Sequence, residues 1–197
     1  CKFVVKINSA DGKLLAENDW DIWIYPRSSG SDFSSNLKTS SSLDDAALDY
    51  VKAGGKLLLT VPGVKVRNFD DRPVKLGFSS IFWNTAWTDR QAPTTLGLVC
   101  DPRHPALADF PTDFHSNWQW WYLVHRAGAL RLEGLPQELE PIVRIIDDWT
   151  TARPLALILE AKLGAGALII CGVDLTNAVD PVSRQMYRSV TRYMNGP

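Results

Sequence analysis

Hydrophobic and polar positions change rhythm along this chain, and the change divides it. Residues 2–7 (Lys-Phe-Val-Val-Lys-Ile) and 20–25 (Trp-Asp-Ile-Trp-Ile-Tyr) are rich in β-branched and aromatic residues and predict strands. In the second, Trp20, Ile22 and Ile24 fall on one face and Asp21, Trp23 and Tyr25 on the other. Asn8 to Gly12 supplies turn residues between them, and Pro26 closes the second strand. Arg27-Ser28-Ser29-Gly30-Ser31 has linker composition. Residues 1–26 are therefore expected to form a β-hairpin of one unit, 27–35 a linker, and 36–197 a separate domain.

From residue 36 strands and helices alternate. Asn36–Ser40 is a strand candidate, and Ser42, followed three residues later by Asp45, predicts a capped helix through Ala46, Ala47, Leu48, Tyr50 and Val51. Gly54-Gly55 stops that helix, and Lys56–Val61 is a short apolar run suited to a strand covered on both faces. Strand, helix and strand in this order predict a βαβ unit of a parallel sheet. Residues 78–82 and 94–100 are further strand candidates, and 114–126 suits a helix capped by Thr112 or Asp113. Leu155–Ala161 and Ala167–Val173 are apolar strands joined by a hairpin-like turn, Lys162-Leu163-Gly164-Ala165-Gly166. Asp180 before Pro181 predicts a last helix through Met194, with Val182, Gln185, Met186, Ser189, Val190 and Tyr193 on one face.

Composition narrows the function classes. Lys plus Arg number 21 against 22 Asp plus Glu in 197 residues, so there is no basic excess to hold a phosphate backbone, and nucleic acid is not an expected partner. The three cysteines, Cys1, Cys100 and Cys171, are too widely spaced for a zinc pattern, and no metal or cofactor is expected. No apolar run approaches the ~20 residues of a membrane-spanning helix, and no signal peptide is visible. A start on Cys in mid-pattern is the expected look of a fragment of a longer protein.

The most informative stretch is Phe114-His115-Ser116-Asn117-Trp118-Gln119-Trp120-Trp121-Tyr122. An indole can stack on the C–H face of a pyranose, or bury up to ~250 Å² in a core or interface. On a helix over 114–126, Phe114, Trp118, Trp121 and His125 share a face, so core packing is expected of Trp118 and Trp121. Trp120 projects elsewhere and is the expected surface residue. A glycan surface would draw on Trp83, Trp87 and Trp120, with Asn84, Asn117, Gln119 and His115 bonding hydroxyls.

No catalytic constellation is complete. Asp147, Asp148 and Glu160 are the tempting carboxylates, but a glycosidase pair must stand ~5–5.5 or ~6.5–9.5 Å apart. Glu160 is expected to be structural, an ion-pair partner of a nearby Arg or Lys. Neither Cys100 nor Cys171 sits in a Gly-x-Cys-x-Gly elbow, and buried packing is the favoured reading for both. His104 and His115 could line a pocket with Asp101 and Asp113, the basis of a weaker small-hydrolase reading, but a loop histidine bonding backbone is favoured.

Several motifs together carry a family resemblance: Ala16-Glu17-Asn18-Asp19-Trp20-Asp21-Ile22-Trp23-Ile24-Tyr25-Pro26, Gly54-Gly55-Lys56-Leu57-Leu58-Leu59, Phe82-Trp83-Asn84, His104-Pro105-Ala106-Leu107, Phe110-Pro111-Thr112, Asn117–Trp121 and Glu160–Gly166. The first resembles the last strand of an immunoglobulin-like domain in glycoside hydrolase family 2 and related β-galactosidase-like proteins. The rest resemble the accessory domain that follows it, whose fold is similar to class I glutamine amidotransferases. The resemblance implies an α/β, flavodoxin-like layered sheet with flanking helices, preceded by a hairpin from an immunoglobulin-like sandwich. It also implies a non-catalytic domain of a secreted or periplasmic bacterial glycoside hydrolase. Its (β/α)₈ catalytic barrel, about 250 residues in its own right, lies upstream and is the expected partner; an oligosaccharide or a second copy are further ones.

Overall fold

The computed structural model describes residues 1–26, 37–62, 74, 76–77, 95–148, 151–176 and 180–196. The chain divides into two compact units, Cys1–Gly30 and Ser31–Pro197. The strand candidate at 78–82, together with Trp83, Asn84 and Trp87, lies outside the described residues.

The first unit is an antiparallel pair, β1 (Lys2–Asn8) and β2 (Leu14–Asp21), with Phe3 facing Trp20 and Val5 facing Asn18. The turn is closed by Ser9 N–H to Lys13 O and Gly12 N–H to Ser9 O, both 2.9 Å. The second strand lies earlier than the 20–25 expected from its apolar run. Pairing ends where the Ile22 N–H meets the Cys1 carbonyl at 2.9 Å, and among the described residues no strand of β1–β2 continues past that point. Strand extent here follows the availability of partners, not propensity.

In the second unit, β3 (Leu37–Ser40), α1 (Asp45–Lys52) and β4 (Lys56–Thr60) form the expected βαβ unit, with β3 and β4 parallel. The cap of α1 is Asp44, not Ser42: the Asp44 carboxylate accepts the Ala47 N–H at 2.8 Å, while Ser42 is tied back to Ser40. The remaining strands are β5 (Gly97–Cys100), β6 (Leu130–Arg131), β7 (Pro141–Ile146), β8 (Leu155–Leu163) and β9 (Gly166–Cys171). The sheet runs β3-β4-β9-β8-β7-β5. It is parallel across β3, β4 and β9 and antiparallel from β9 through β8 and β7 to β5, a mixed α/β arrangement and not the all-parallel one.

Two glycines permit close backbone approach. A Cβ on Gly166 would sit 2.0 Å from the Val51 carbonyl oxygen, where the end of α1 meets the β8–β9 turn. On Gly172 it would lie 2.1 Å from the Gly128 oxygen. There the Gly128 N–H donates to Gly172 O at 2.7 Å, and β6 takes over the edge of β8 that β9 has left.

Helices cover both faces of the sheet. Val51 of α1 packs with Leu57, Leu59 and Leu168, each worth about 1.5–3 kcal/mol of burial. Ile169, next to Leu168, points the other way and faces Glu160 across the β8–β9 ladder. The Tyr193 hydroxyl of α3 (Pro181–Asn195) donates to Glu160 at 2.9 Å, which puts α3 on that opposite face. As the sequence predicts, α3 is capped by Asp180 with Pro181 in its first turn; of the residues expected on one face, Val182, Gln185, Met186, Ser189 and Val190 are buried and Tyr193 is half-buried.

Candidate functional site

The segment after β5 does not form the helix expected over 114–126. Cys100 N–H donates to Phe114 O at 3.0 Å and Ser116 N–H to Leu98 O at 3.2 Å, so residues 114–116 run extended along the edge of β5. Asn117 then turns the chain: its side chain accepts the Gln119 N–H at 3.1 Å and donates to Asp113 Oδ2 at 2.8 Å. Only from there does the chain coil, as a 3₁₀ turn at Trp118–Trp120 followed by α2 (Trp121–Val124).

That late start leaves the expected periodicity intact and reverses its direction. Trp120 is fully buried: its indole N–H donates to Thr112 Oγ1 at 2.9 Å and its ring meets Phe110 edge-on at 5.0 Å. Leu123 and Val124, three and four residues on, are buried with it. Trp118, Trp121 and Tyr122 lie on the outer side, 53%, 52% and 50% exposed, and Phe114 on the extended lead-in is 62% exposed. The expectation that Trp120 is the surface indole and Trp118 and Trp121 the core ones is thus corrected. Phe110-Pro111-Thr112 supplies both the aromatic wall and the hydroxyl acceptor that Trp120 meets. Trp120, Leu123 and Val124 form an apolar stripe in the sequence, but so do Phe114, Trp118 and Trp121, and the contacts of residues 110–116 decide between them.

The remaining candidate residues separate. Gln119 is buried, Asn117 is half-buried in its capping role, and His115 is exposed. The His115 ring meets Phe114 edge-on at 4.7 Å, and its Nδ1 lies 3.0 Å from the Ser116 carbonyl. His125 stacks on Trp121 with centroids 3.8 Å apart. Four half-exposed aromatic rings leave on the order of 400 Å² of apolar surface in water, the scale at which surface patches tend to be functional.

The carboxylates singled out in the sequence are hydrogen-bonded within the fold. Arg153 grips Asp147 with Nε and Nη2 at 2.7 and 2.9 Å, and its own backbone N–H adds a third bond at 2.8 Å. Burial would raise the Asp147 carboxyl, but the bonds from Arg153 outweigh it and hold it below the usual carboxylate range. Asp148 accepts the Thr151 N–H and hydroxyl, both at 2.9 Å. Glu160 accepts from the Tyr193 phenol, not from the expected cation. Burial, with Glu160 beside it, pushes the Tyr193 phenol up.

Cys100 and Cys171 are buried, their thiols pushed up by burial to about 11 and about 12, far from reactive thiolates. His104 caps the 3₁₀ turn Pro105–Leu107 by accepting the Ala106 N–H on Nδ1 at 3.2 Å, a backbone role with the bond reversed from the expected donation to a carbonyl. Among the described residues no group of three or more His, Cys, Asp or Glu could hold a metal ion, and no helix is long and apolar enough to cross a membrane.

A family model described as Domain of unknown function (DUF8487) matches residues 38–197. The chain belongs to this family. The matched span takes in the whole sheet from Lys38 onward, with the buried Trp120 and its exposed neighbours, and leaves out the β1–β2 hairpin. No curated protein matches the sequence.

Proposed function

We propose that residues 31–197 form a non-catalytic accessory domain of a β-galactosidase-like glycoside hydrolase, with a flavodoxin-like layered fold, docking through its aromatic surface onto the catalytic unit. The observation that carries this reading is the pairing of one buried tryptophan with exposed neighbours. Trp120 locks the turn from beneath while Trp118, Trp121 and Tyr122, three and four residues apart, are presented outward. Such a rigid, half-apolar surface is the composition of an interface core. The β3–α1–β4 unit, with α1 and α3 on opposite faces, supports the layered-fold part of the proposal.

A second reading is favoured by the polar groups beside the rings. Asp113, bonded to Asn117, and His125, stacked on Trp121, are hydroxyl partners of the kind a glycan site needs. One experiment separates the two: calorimetric titration of the chain with the catalytic portion of the parent hydrolase and, separately, with a panel of plant and host oligosaccharides. Docking predicts saturable binding to the catalytic portion, weakened at least tenfold in Trp118→Ala/Trp121→Ala. Saturable oligosaccharide binding by the chain alone, lost in the same variant, would replace docking by a carbohydrate-binding module. Binding to neither would sink both.

A further inference from the structure

In two places along the chain a glycine follows an aspartate or asparagine: Asp11-Gly12 and Asn195-Gly196. Such a pair can close a cyclic imide, the glycine amide nitrogen attacking the side-chain carbonyl carbon, and glycine, with no Cβ, obstructs that closure least. At Asp11 the Ser9 hydroxyl holds the carboxyl below the usual carboxylate range, so the group is ionised at neutral pH and a poor electrophile. Asn195 carries a neutral amide and is the reactive member of the two.

The structure holds the reacting atoms apart. Asn195 is the last residue of α3, and its Nδ2, the leaving group, donates to Thr191 O at 2.9 Å. The Gly196 N–H, the nucleophile, donates to Tyr193 O at 3.1 Å. Both bonds lie within the final turn, the part of a helix that frays first. A third bond comes from outside the helix. The Gly196 carbonyl accepts the ammonium of Lys56, the first residue of β4, at 2.8 Å in a half-buried setting. The helical backbone at Asn195 also turns the Gly196 nitrogen away from the side chain, so ring closure requires this turn to open.

We propose that Asn195 is a deamidation site gated by local opening of the last turn of α3, with Lys56 as the latch that keeps it shut. When the turn opens, the Gly196 nitrogen loses its proton to solvent and bonds to the Asn195 side-chain carbonyl carbon. The bond from that carbon to Nδ2 breaks, and ammonia leaves with a proton from water. A second water then opens the imide at either carbonyl, giving aspartate or isoaspartate. Neither product can donate to Thr191 O, and each sets a negative charge at the helix end where the dipole disfavours it. Tyr193, which holds Glu160 on the sheet, lies two residues before the modified position. The reaction therefore loosens the turn that seats α3.

Peptide mass spectrometry of the 197-residue chain, incubated at mildly alkaline pH, tests this by following asparagine, aspartate and isoaspartate at position 195. The folded chain is expected to deamidate at least about tenfold more slowly than the chain in urea. Lys56→Ala should speed the folded reaction about tenfold, the scale of one charge-assisted hydrogen bond, and leave the rate in urea unchanged. Lys56→Arg, which keeps a donor, should stay slow. Asp180→Ala weakens the opposite end of α3 and should leave the rate unchanged, which separates local opening from loss of overall stability. Equal rates in the folded chain and in urea would overturn the gate. A Lys56→Ala chain no faster than the natural sequence, or an Asp180→Ala chain just as fast as Lys56→Ala, would overturn the latch.

Discussion

β1 and β4 are both short strands rich in large apolar residues, yet every position of β1 is exposed whereas Leu57, Leu58, Leu59 and Thr60 of β4 are buried. Their sequences differ in rhythm. β4 is a continuous apolar run, with neighbours on both edges and a layer on each face, so each side chain meets protein. β1 alternates, so only one of its faces could ever be covered, and that face has no cover within its unit. Strand formation is local; burial is a property of layers. Stability therefore belongs to the larger unit, whose strand is layered on both faces, and not to the hairpin.

The largest expected effect tests that assignment directly. Trp120→Ala removes a fully buried indole and its bond to Thr112, and should cost about 3–5 kcal/mol in urea unfolding of residues 31–197. Trp20→Ala in the 197-residue chain should change the same transition by less than about 0.5 kcal/mol, because the hairpin is a separate unit. Equal costs for the two substitutions would erase the distinction.

Next in size is the Asp147–Arg153 pair that holds the β7–β8 connection. Asp147→Ala leaves a guanidinium without its bidentate partner and should cost roughly 3 kcal/mol. The pH dependence has a definite sign. The folded carboxyl lies below its ordinary value of 3.8, so the pair's contribution is complete above that value and disappears as pH falls through the lowered one. Melting temperatures measured from pH 6 to pH 3 should fall less steeply in Asp147→Ala than in the natural sequence. Identical acid limbs would assign the acid sensitivity elsewhere.

Smaller again is the cap of α3. Asp180 accepts the Ser183 N–H at 2.7 Å and the Arg126 guanidinium at 2.9 Å, joining α3 to the end of the aromatic segment. Asp180→Ala should cost about 1–2 kcal/mol, and Asp180→Asn, which keeps an oxygen for the Ser183 N–H, should recover about half. A fully stable Asp180→Ala would remove α3 from the support of that surface.

How much of this was legible in the sequence depends on how far each cause lies along the chain. The caps and breaks, Asp180-Pro181 and Gly54-Gly55, act within one turn and read correctly. So did the apolar runs of β4, β8 and β9. The orientation of Trp118–Tyr122 did not, because it is decided by Phe110 and Thr112 and by the pairing of residues 114–116 with β5, contacts that close only in the fold. Strand direction was legible where the connection is local: β3-α1-β4 announced a parallel pair, and the hairpin-like turn at 162–166 announced the antiparallel β8–β9 pair.

The smallest expected stability change bears most on function. Trp121 is half exposed and stacks on His125, so Trp121→Ala should shift the unfolding free energy by no more than about 0.5 kcal/mol. A surface kept only because it packs the fold would show a loss near that of Trp120→Ala. A surface kept for a partner would show none, together with a tenfold or greater loss of binding to whatever covers it. Trp120 and Trp121 are adjacent in sequence and alike in chemistry, so measuring both on one preparation controls for residue type. If Trp121→Ala proves as destabilising as Trp120→Ala, the outer rings are part of the core and the docking surface is lost. If it proves silent in folding and strong in binding, one turn of chain divides the work, an inner indole holding the fold and an outer one meeting the partner.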